Sequence, residues 1–91
     1  MTLYFLYMEG CPACEAAKPE LAKFQRANPR IAVKMHDLLK TKWTYTAWSP
    51  EATPTYVLEE LGYPRVQHVG ALTKPRIEEF VANAKRMTGM P

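Results

Sequence analysis

The part of the chain that most directly indicates its fold is the stretch Glu9-Gly10-Cys11-Pro12-Ala13-Cys14, which contains both cysteines of the 91-residue sequence. It follows an apolar run at residues 3–8 and precedes a segment with helical periodicity. Two thiols in C-x-x-C spacing at such a strand-to-helix junction indicate redox chemistry. Side chains three residues apart at a helix start lie about 5–6 Å from each other, which is close to disulfide reach.

The position of Cys11 at the predicted helix N-terminus indicates which of the two thiols attacks a substrate and which resolves the intermediate. Backbone N–H groups of the first turn point toward this end, which carries partial positive charge and favours a thiolate. We therefore expect Cys11 to be the attacking sulfur and Cys14 the resolving one. Glu9 and Glu15 flank the pair and oppose the effect, because they disfavour a further negative charge.

Length and composition indicate a single small domain spanning residues 1–91, large enough for one hydrophobic core. The 12 basic and 9 acidic side chains give a net charge of +3, and the basic ones are spread along the chain. We therefore expect no nucleic-acid partner. The N-terminal apolar run is too short to span a bilayer and lacks a charged leader. These features predict a cytoplasmic protein with no membrane partner.

The first half of the chain reads as a strand, a helix and a second strand. Residues 2–8 are apolar on both faces, which is typical of an interior strand. Residues 12–28 have helical spacing, and Pro19 is expected to kink this helix. Residues 31–37 alternate with one more polar face, which predicts a strand nearer the sheet edge. A unit of this length implies parallel pairing of the two strands.

The second half predicts a hairpin and a final helix. Residues 38–49 allow only a short or irregular helix, because of their threonines, aromatics and Ser49-Pro50. Strands are predicted at 55–60 and 65–69, joined by a turn. Thr73 is a suitable N-cap and Gly89 a suitable end for the last helix. The predicted buried stripe of that helix is Ile77, Phe80, Val81, Ala84 and Met87.

Four of these features, in this order, resemble the thioredoxin family. They are the C-x-x-C that opens the first helix, Pro19 five residues after the second cysteine, Thr53-Pro54-Thr55 before the third strand, and residues 69–74 followed by Glu79-Phe80. The resemblance covers nearly the whole chain. It implies an α/β thioredoxin fold with a minimal βαβ-α-ββα core, in which helices flank a four-stranded mixed sheet.

The same resemblance implies a thiol-disulfide oxidoreductase that reduces protein disulfides through Cys11 and Cys14. Its partners would be disulfide-containing proteins and a thioredoxin-reductase-like reductant, and it would act as a monomer with no cofactor beyond its own disulfide. Pro54 would be a cis-proline that exposes the Thr53 backbone to an extended substrate segment. Pro12 and Ala13 would belong to the same substrate-binding surface.

The chain also departs from the thioredoxin pattern. Phe5 stands where that family has a buried aspartate thought to assist proton transfer, and Gly10 replaces the tryptophan before the first cysteine. The compact size and the proline after the first cysteine are closer to glutaredoxin. However, residues 70–75 lack the paired-glycine and acidic motif with which glutaredoxins bind glutathione. The resemblance therefore favours a thioredoxin-like protein with a glutaredoxin-sized body.

Alternative functions remain open at this stage. One is a glutathione-dependent glutaredoxin, and another is a non-enzymatic iron–sulfur cluster carrier or binding module that uses the same cysteines as ligands. A structural zinc site is disfavoured because the separation of His36 and His68 fits no compact finger. The aromatic residues of the central segment could line the substrate groove near Pro54, but in a small domain aromatic side chains are more often part of the core, and we expect this of at least one among Trp43, Tyr45 and Trp48.

Overall fold

The computed structural model describes residues 1–40 and 52–91. The described elements are, in chain order, β1 (Thr2–Tyr7), α1 (Pro12–Ala27), β2 (Ala32–Asp37), β3 (Thr55–Glu59), β4 (Val66–Val69) and α2 (Lys74–Thr88). The strands form one sheet in the order β2-β1-β3-β4. β1 pairs in parallel with β2, whereas β3 is antiparallel to both β1 and β4. The predicted interior β1, edge strand β2, parallel crossover and hairpin are confirmed, with element ends within one residue.

The central strand β1 contributes to two apolar clusters because its side chains alternate between the faces of the sheet. Leu3 and Phe5 pack into the larger cluster, together with residues of α1 and α2. Leu6 lies in the smaller cluster with Leu38 and Val57. Burial on both faces explains why β1 has a nearly continuous apolar sequence.

Helix α1 is bounded as its sequence predicts. Pro12 occupies its first turn, where a missing N–H is tolerated. Asn28 ends the helix, and its backbone and side-chain N–H groups both donate to the Phe24 carbonyl, at 2.9 and 3.0 Å. The helix is continuous through Pro19. The expected kink at that residue stays a prediction.

The last helix, α2, begins after Thr73 and ends at Gly89, as predicted. The Thr73 side chain makes no capping hydrogen bond. The first-turn N–H of Lys74 instead donates to Glu20 Oε1 of α1 at 2.8 Å, so the neighbouring helix supplies the acceptor. Gly89 adopts the left-handed conformation (φ 80°) typical of a helix C-terminus.

The predicted buried stripe of α2 is partly wrong. Ile77, Val81 and Ala84 are buried, but Phe80 is half-buried and Met87 is 72% exposed. At 3.6 residues per turn, Met87 lies about 80° around the helix from Ile77. Met87 therefore lies at the edge of the buried face of α2, where the rest of the protein does not cover it.

The short helix expected within 38–49 lies largely outside the described residues. The same is true of Trp43, Tyr45 and Trp48, which all fall in the segment 41–51. Within residues 1–40 and 52–91, neither helix is long and apolar enough to cross a membrane.

Candidate active site

The two cysteines are joined by a disulfide bond at the start of α1, with their Cα atoms 5.2 Å apart. Cys11 is the N-cap residue, and its Sγ accepts a hydrogen bond from the Cys14 N–H at 3.1 Å. Cys11 is half-buried, whereas Cys14 is fully buried. Cys11 is therefore the cysteine that is partly open to a partner molecule, whereas Cys14 is not.

Thr53 brings a second segment of the chain to the same sulfur. Its Oγ1 lies 3.5 Å from Cys11 Sγ, within donating distance of sulfur, and its carbonyl oxygen lies 3.7 Å from Cys11 Sγ. The peptide bond between Thr53 and Pro54 is cis. The structure thus brings together Cys11, Cys14 and Thr53, which the sequence analysis singled out as site residues.

The loop between β4 and α2 forms a third part of the site. The Gly70 N–H donates to the Pro54 carbonyl oxygen at 2.9 Å, which holds this loop against the segment that contacts Cys11. Ala71, the next residue, is exposed. Pro12 and Ala13 are also exposed, in the first turn of α1 beside Cys11. Pro12, Ala13 and Ala71 therefore contribute small, exposed and uncharged side chains, whereas the exposed Glu9 and Glu15 flank the cysteine pair in sequence.

The hydrogen-bond donors at Cys11 Sγ favour negative charge there in the reduced protein. The Cys14 N–H and the Thr53 hydroxyl both lie within hydrogen-bonding distance of this sulfur. Donors directed at a charged atom stabilise its ionised form. These two donors, from two different segments, favour a thiolate in addition to the partial charge of the helix N-terminus, whereas the Thr53 carbonyl oxygen at 3.7 Å favours the protonated thiol.

One of the two acidic residues expected to oppose this effect, Glu15, is paired with a cation in the structure. Glu15 is exposed and forms an ion pair with Lys18, with 2.9 Å between Oε1 and Nζ. The same Nζ lies 4.6 Å from the centroid of the Tyr7 ring. The hydrogen bond that Lys18 donates to Glu15 raises the pKa of Lys18. Lys18 therefore offsets the Glu15 charge, a pairing that the i,i+3 spacing alone could have indicated.

Phe5 stands at the position of the acid expected from the family resemblance, and it is a core residue. Its side chain is fully buried, and its ring makes an edge contact with Tyr56 at 5.3 Å between centroids. This position therefore carries no carboxylate that could take a proton from Cys14.

The two histidines lie apart from the cysteine pair. His36 is half-buried on β2, and its ring lies 5.5 Å from that of Tyr4. His68 is half-buried on β4, between the rings of Tyr56 and Phe80. In the described ranges, no three His, Cys, Asp or Glu side chains are grouped as a metal site.

Similarity to proteins of known structure establishes the fold. Neither a family model nor a curated protein matches this chain. Among solved structures, thioredoxin from Fasciola hepatica superposes with a TM-score of 0.82 at 19% identity, covering 92% of this chain and 80% of that one. Mitochondrial thioredoxin 3 from Saccharomyces cerevisiae, in its oxidized form, superposes with a TM-score of 0.80 at 22% identity, covering 90% of this chain and 76% of that one. Chloroplastic thioredoxin z superposes with a TM-score of 0.81 at 19% identity, covering 93% of this chain and 78% of that one.

These structures are named as thioredoxins, and the match extends over most of each chain. The protein therefore has the thioredoxin fold, as its sequence predicts. Its two cysteines lie at the start of the first helix of that fold.

Proposed function

We propose that this protein is a thiol-disulfide oxidoreductase that reduces protein disulfides through the Cys11–Cys14 couple. One observation carries the proposal. Cys11 is a half-buried N-cap whose Sγ receives the Cys14 N–H and the Thr53 hydroxyl, while Cys14 is fully buried and joined to it. This arrangement stabilises a nucleophilic thiolate on the accessible sulfur and holds a second sulfur within bonding distance.

The reaction follows from these positions in two exchange steps. The Cys11 thiolate attacks one sulfur of a substrate disulfide, the substrate S–S bond breaks, and the leaving thiolate takes a proton from solvent. Cys14 then attacks Cys11 Sγ, so that the Cys11–Cys14 bond forms and the bond between Cys11 and the substrate breaks; the proton lost by Cys14 is balanced by the one that the leaving substrate thiolate takes up. The substrate gains two electrons, and the protein becomes the disulfide that an external reductant must reduce.

Substrate recognition is proposed to rest mainly on the backbone of Thr53. Its carbonyl oxygen lies 3.7 Å from Cys11 Sγ, so a peptide paired with this residue as an added strand would bring its own sulfur to Cys11. Pro12 and Ala13, which follow Cys11, and Ala71 have small exposed side chains that would belong to the same substrate-binding surface. A backbone pairing of this kind accepts varied sequences, because it does not depend on the substrate's side chains.

The names of the similar structures support a thioredoxin-type cycle. In this cycle the reductant would be a thioredoxin-reductase-like protein, and the disulfide itself would be the only redox group. The protein would work as a monomer in the cytoplasm. Glutathione-dependent turnover and cluster binding are the competing functions that the test must separate.

The test is reduction of insulin disulfides, driven separately by thioredoxin reductase with NADPH and by glutathione with its reductase. We expect turnover with thioredoxin reductase and loss of turnover in Cys11→Ser. Activity with glutathione alone would replace the proposal with a glutaredoxin function. Inactivity with both reductants, together with a coloured iron-containing preparation, would favour a cluster carrier.

A further inference from the structure

The segment of residues 70–74, named here the anchored loop, is held at every second residue. Its inward backbone N–H groups each donate to a different part of the scaffold around the disulfide. The pairs are Gly70 N–H to the Pro54 carbonyl at 2.9 Å, Leu72 N–H to Tyr56 Oη at 3.1 Å, and Lys74 N–H to Glu20 Oε1 at 2.8 Å. The intervening residues Ala71 and Thr73 are exposed. The loop therefore presents one side to solvent beside the Cys11 site while its other side is fixed.

The middle anchor, Tyr56, is a buried side chain whose position is set by the core. Its ring is fully buried on β3 and makes an edge contact with Phe5 at 65° between ring planes. Burial raises the pKa of this phenol, so the hydroxyl remains neutral while it accepts the Leu72 N–H. Removal of the Tyr56 hydroxyl oxygen would leave the Leu72 N–H without its acceptor. Because an unpaired backbone donor is costly, the loop would move so that this N–H finds another partner.

We propose that Tyr56 is a positioning residue that fixes the anchored loop as one wall of the site where protein substrates bind. This inference rests on the proposed function. Tyr56, on β3, lies two residues after Pro54, so one short segment contacts Cys11 through Thr53 and anchors the loop through the Tyr56 phenol. The Tyr56 hydroxyl bonds to the loop backbone and not to either sulfur. Its effect is therefore on how a bulky substrate docks and not on the exchange chemistry at Cys11.

The test compares Tyr56→Phe with Tyr4→Phe, a matched control that removes a tyrosine hydroxyl from the same sheet. The Tyr4 hydroxyl donates to the Glu59 carboxylate at 3.4 Å and is not one of the three acceptors that hold the anchored loop. Loss of one hydrogen bond is worth about 1 kcal/mol, or about a five-fold change in an equilibrium constant. We expect Tyr56→Phe to raise KM for insulin about five-fold with kcat unchanged. Its rate with a small aromatic disulfide should equal that of the wild type, as should both rates of Tyr4→Phe.

Three results would overturn the inference while leaving the proposed function intact. These are an unchanged KM for insulin in Tyr56→Phe, an equal loss toward the small disulfide, and the same KM change in Tyr4→Phe. A wild-type protein that reduces neither substrate would instead refute the proposed function, and the inference with it. If Tyr56→Phe does not fold, the anchoring is tested instead by measuring amide hydrogen exchange in the wild-type protein. The Leu72 amide should exchange at least ten-fold more slowly than an unprotected amide, and free exchange would refute the anchoring.

Discussion

The substitution Thr53→Val tests how the site stabilises the Cys11 thiolate. Valine has nearly the shape of threonine but lacks the hydroxyl, which lies 3.5 Å from Cys11 Sγ. The change therefore removes one of the two donors at the sulfur and retains the Cys14 N–H at 3.1 Å. Because donors favour the charged form, their loss disfavours the thiolate.

The geometry sets the size of the effect. A hydrogen bond to a charged group contributes about 1.5–3 kcal/mol to the stability of the charged form. The contact between the Thr53 hydroxyl and the Cys11 sulfur is long, so we expect a contribution at or below the lower limit of this range. A loss of about 1 kcal/mol corresponds to about five-fold less thiolate at any pH below the midpoint of its titration. The rate of Cys11 alkylation by iodoacetamide, measured against pH in the reduced protein, should fall by about this factor.

Thr55→Val is the matched control for this experiment. The Thr55 hydroxyl is buried and donates to the Ala52 carbonyl at 2.5 Å, in the segment next to the site. This variant should lose stability without a change in the pH dependence of alkylation. An unaltered profile in Thr53→Val, or an equal shift in Thr55→Val, would refute the assigned role of the Thr53 hydroxyl.

Three further predictions concern stability, each measured by urea unfolding. Lys23 and the N–H of Lys74 lower the pKa of Glu20, so its contribution is present above the ordinary value of 4.5 and is lost as pH falls through the lowered pKa. The advantage of the wild type over Glu20→Gln should therefore vanish in acid, and a difference independent of pH would contradict this. Gly89→Ala should cost about 1 kcal/mol, because φ is +80° although nothing lies within 4 Å of the added Cβ; an unchanged free energy of unfolding would contradict it. Met87→Gln should change stability by less than about 0.5 kcal/mol, whereas a loss of about 2 kcal/mol or more would indicate that this 72% exposed side chain is buried in solution.

Most of the fold follows from local signals in the sequence. The apolar run of β1 predicts an interior strand because both of its faces are covered, and the strand lies between β2 and β3. Pro12 and Gly89 predict the ends of the two helices through the backbone conformations they favour. These signals succeed because each depends on the residue itself and its near neighbours.

The errors arise where a side chain's environment depends on distant segments. Met87 has a suitable spacing for the buried stripe, but the width of that stripe is set by what packs against α2. The N-terminal turn of α2 has a threonine suited to capping, yet Glu20 of the other helix accepts the Lys74 N–H. No local pattern shows this, because the two residues are 54 positions apart.

In the candidate site, too, local signals predict some residues, whereas contacts between distant segments are not predicted. Cys11, Cys14 and Thr53 could be selected from spacing and from the family resemblance, and the structure brings them together. Tyr56 could not, because its contact with the anchored loop is made to a backbone N–H, which any residue at position 72 other than proline would offer. Backbone partners of this kind leave no signature in a single sequence.

The central claim is that Cys11 attacks the substrate and Cys14 resolves the intermediate. It is tested most directly by trapping the mixed disulfide with a disulfide-containing protein such as insulin and locating the bond by mass spectrometry. Cys14→Ser should accumulate a covalent complex through Cys11, whereas Cys11→Ser should accumulate none, because its remaining thiol is fully buried. A complex formed by Cys11→Ser and not by Cys14→Ser would contradict the account.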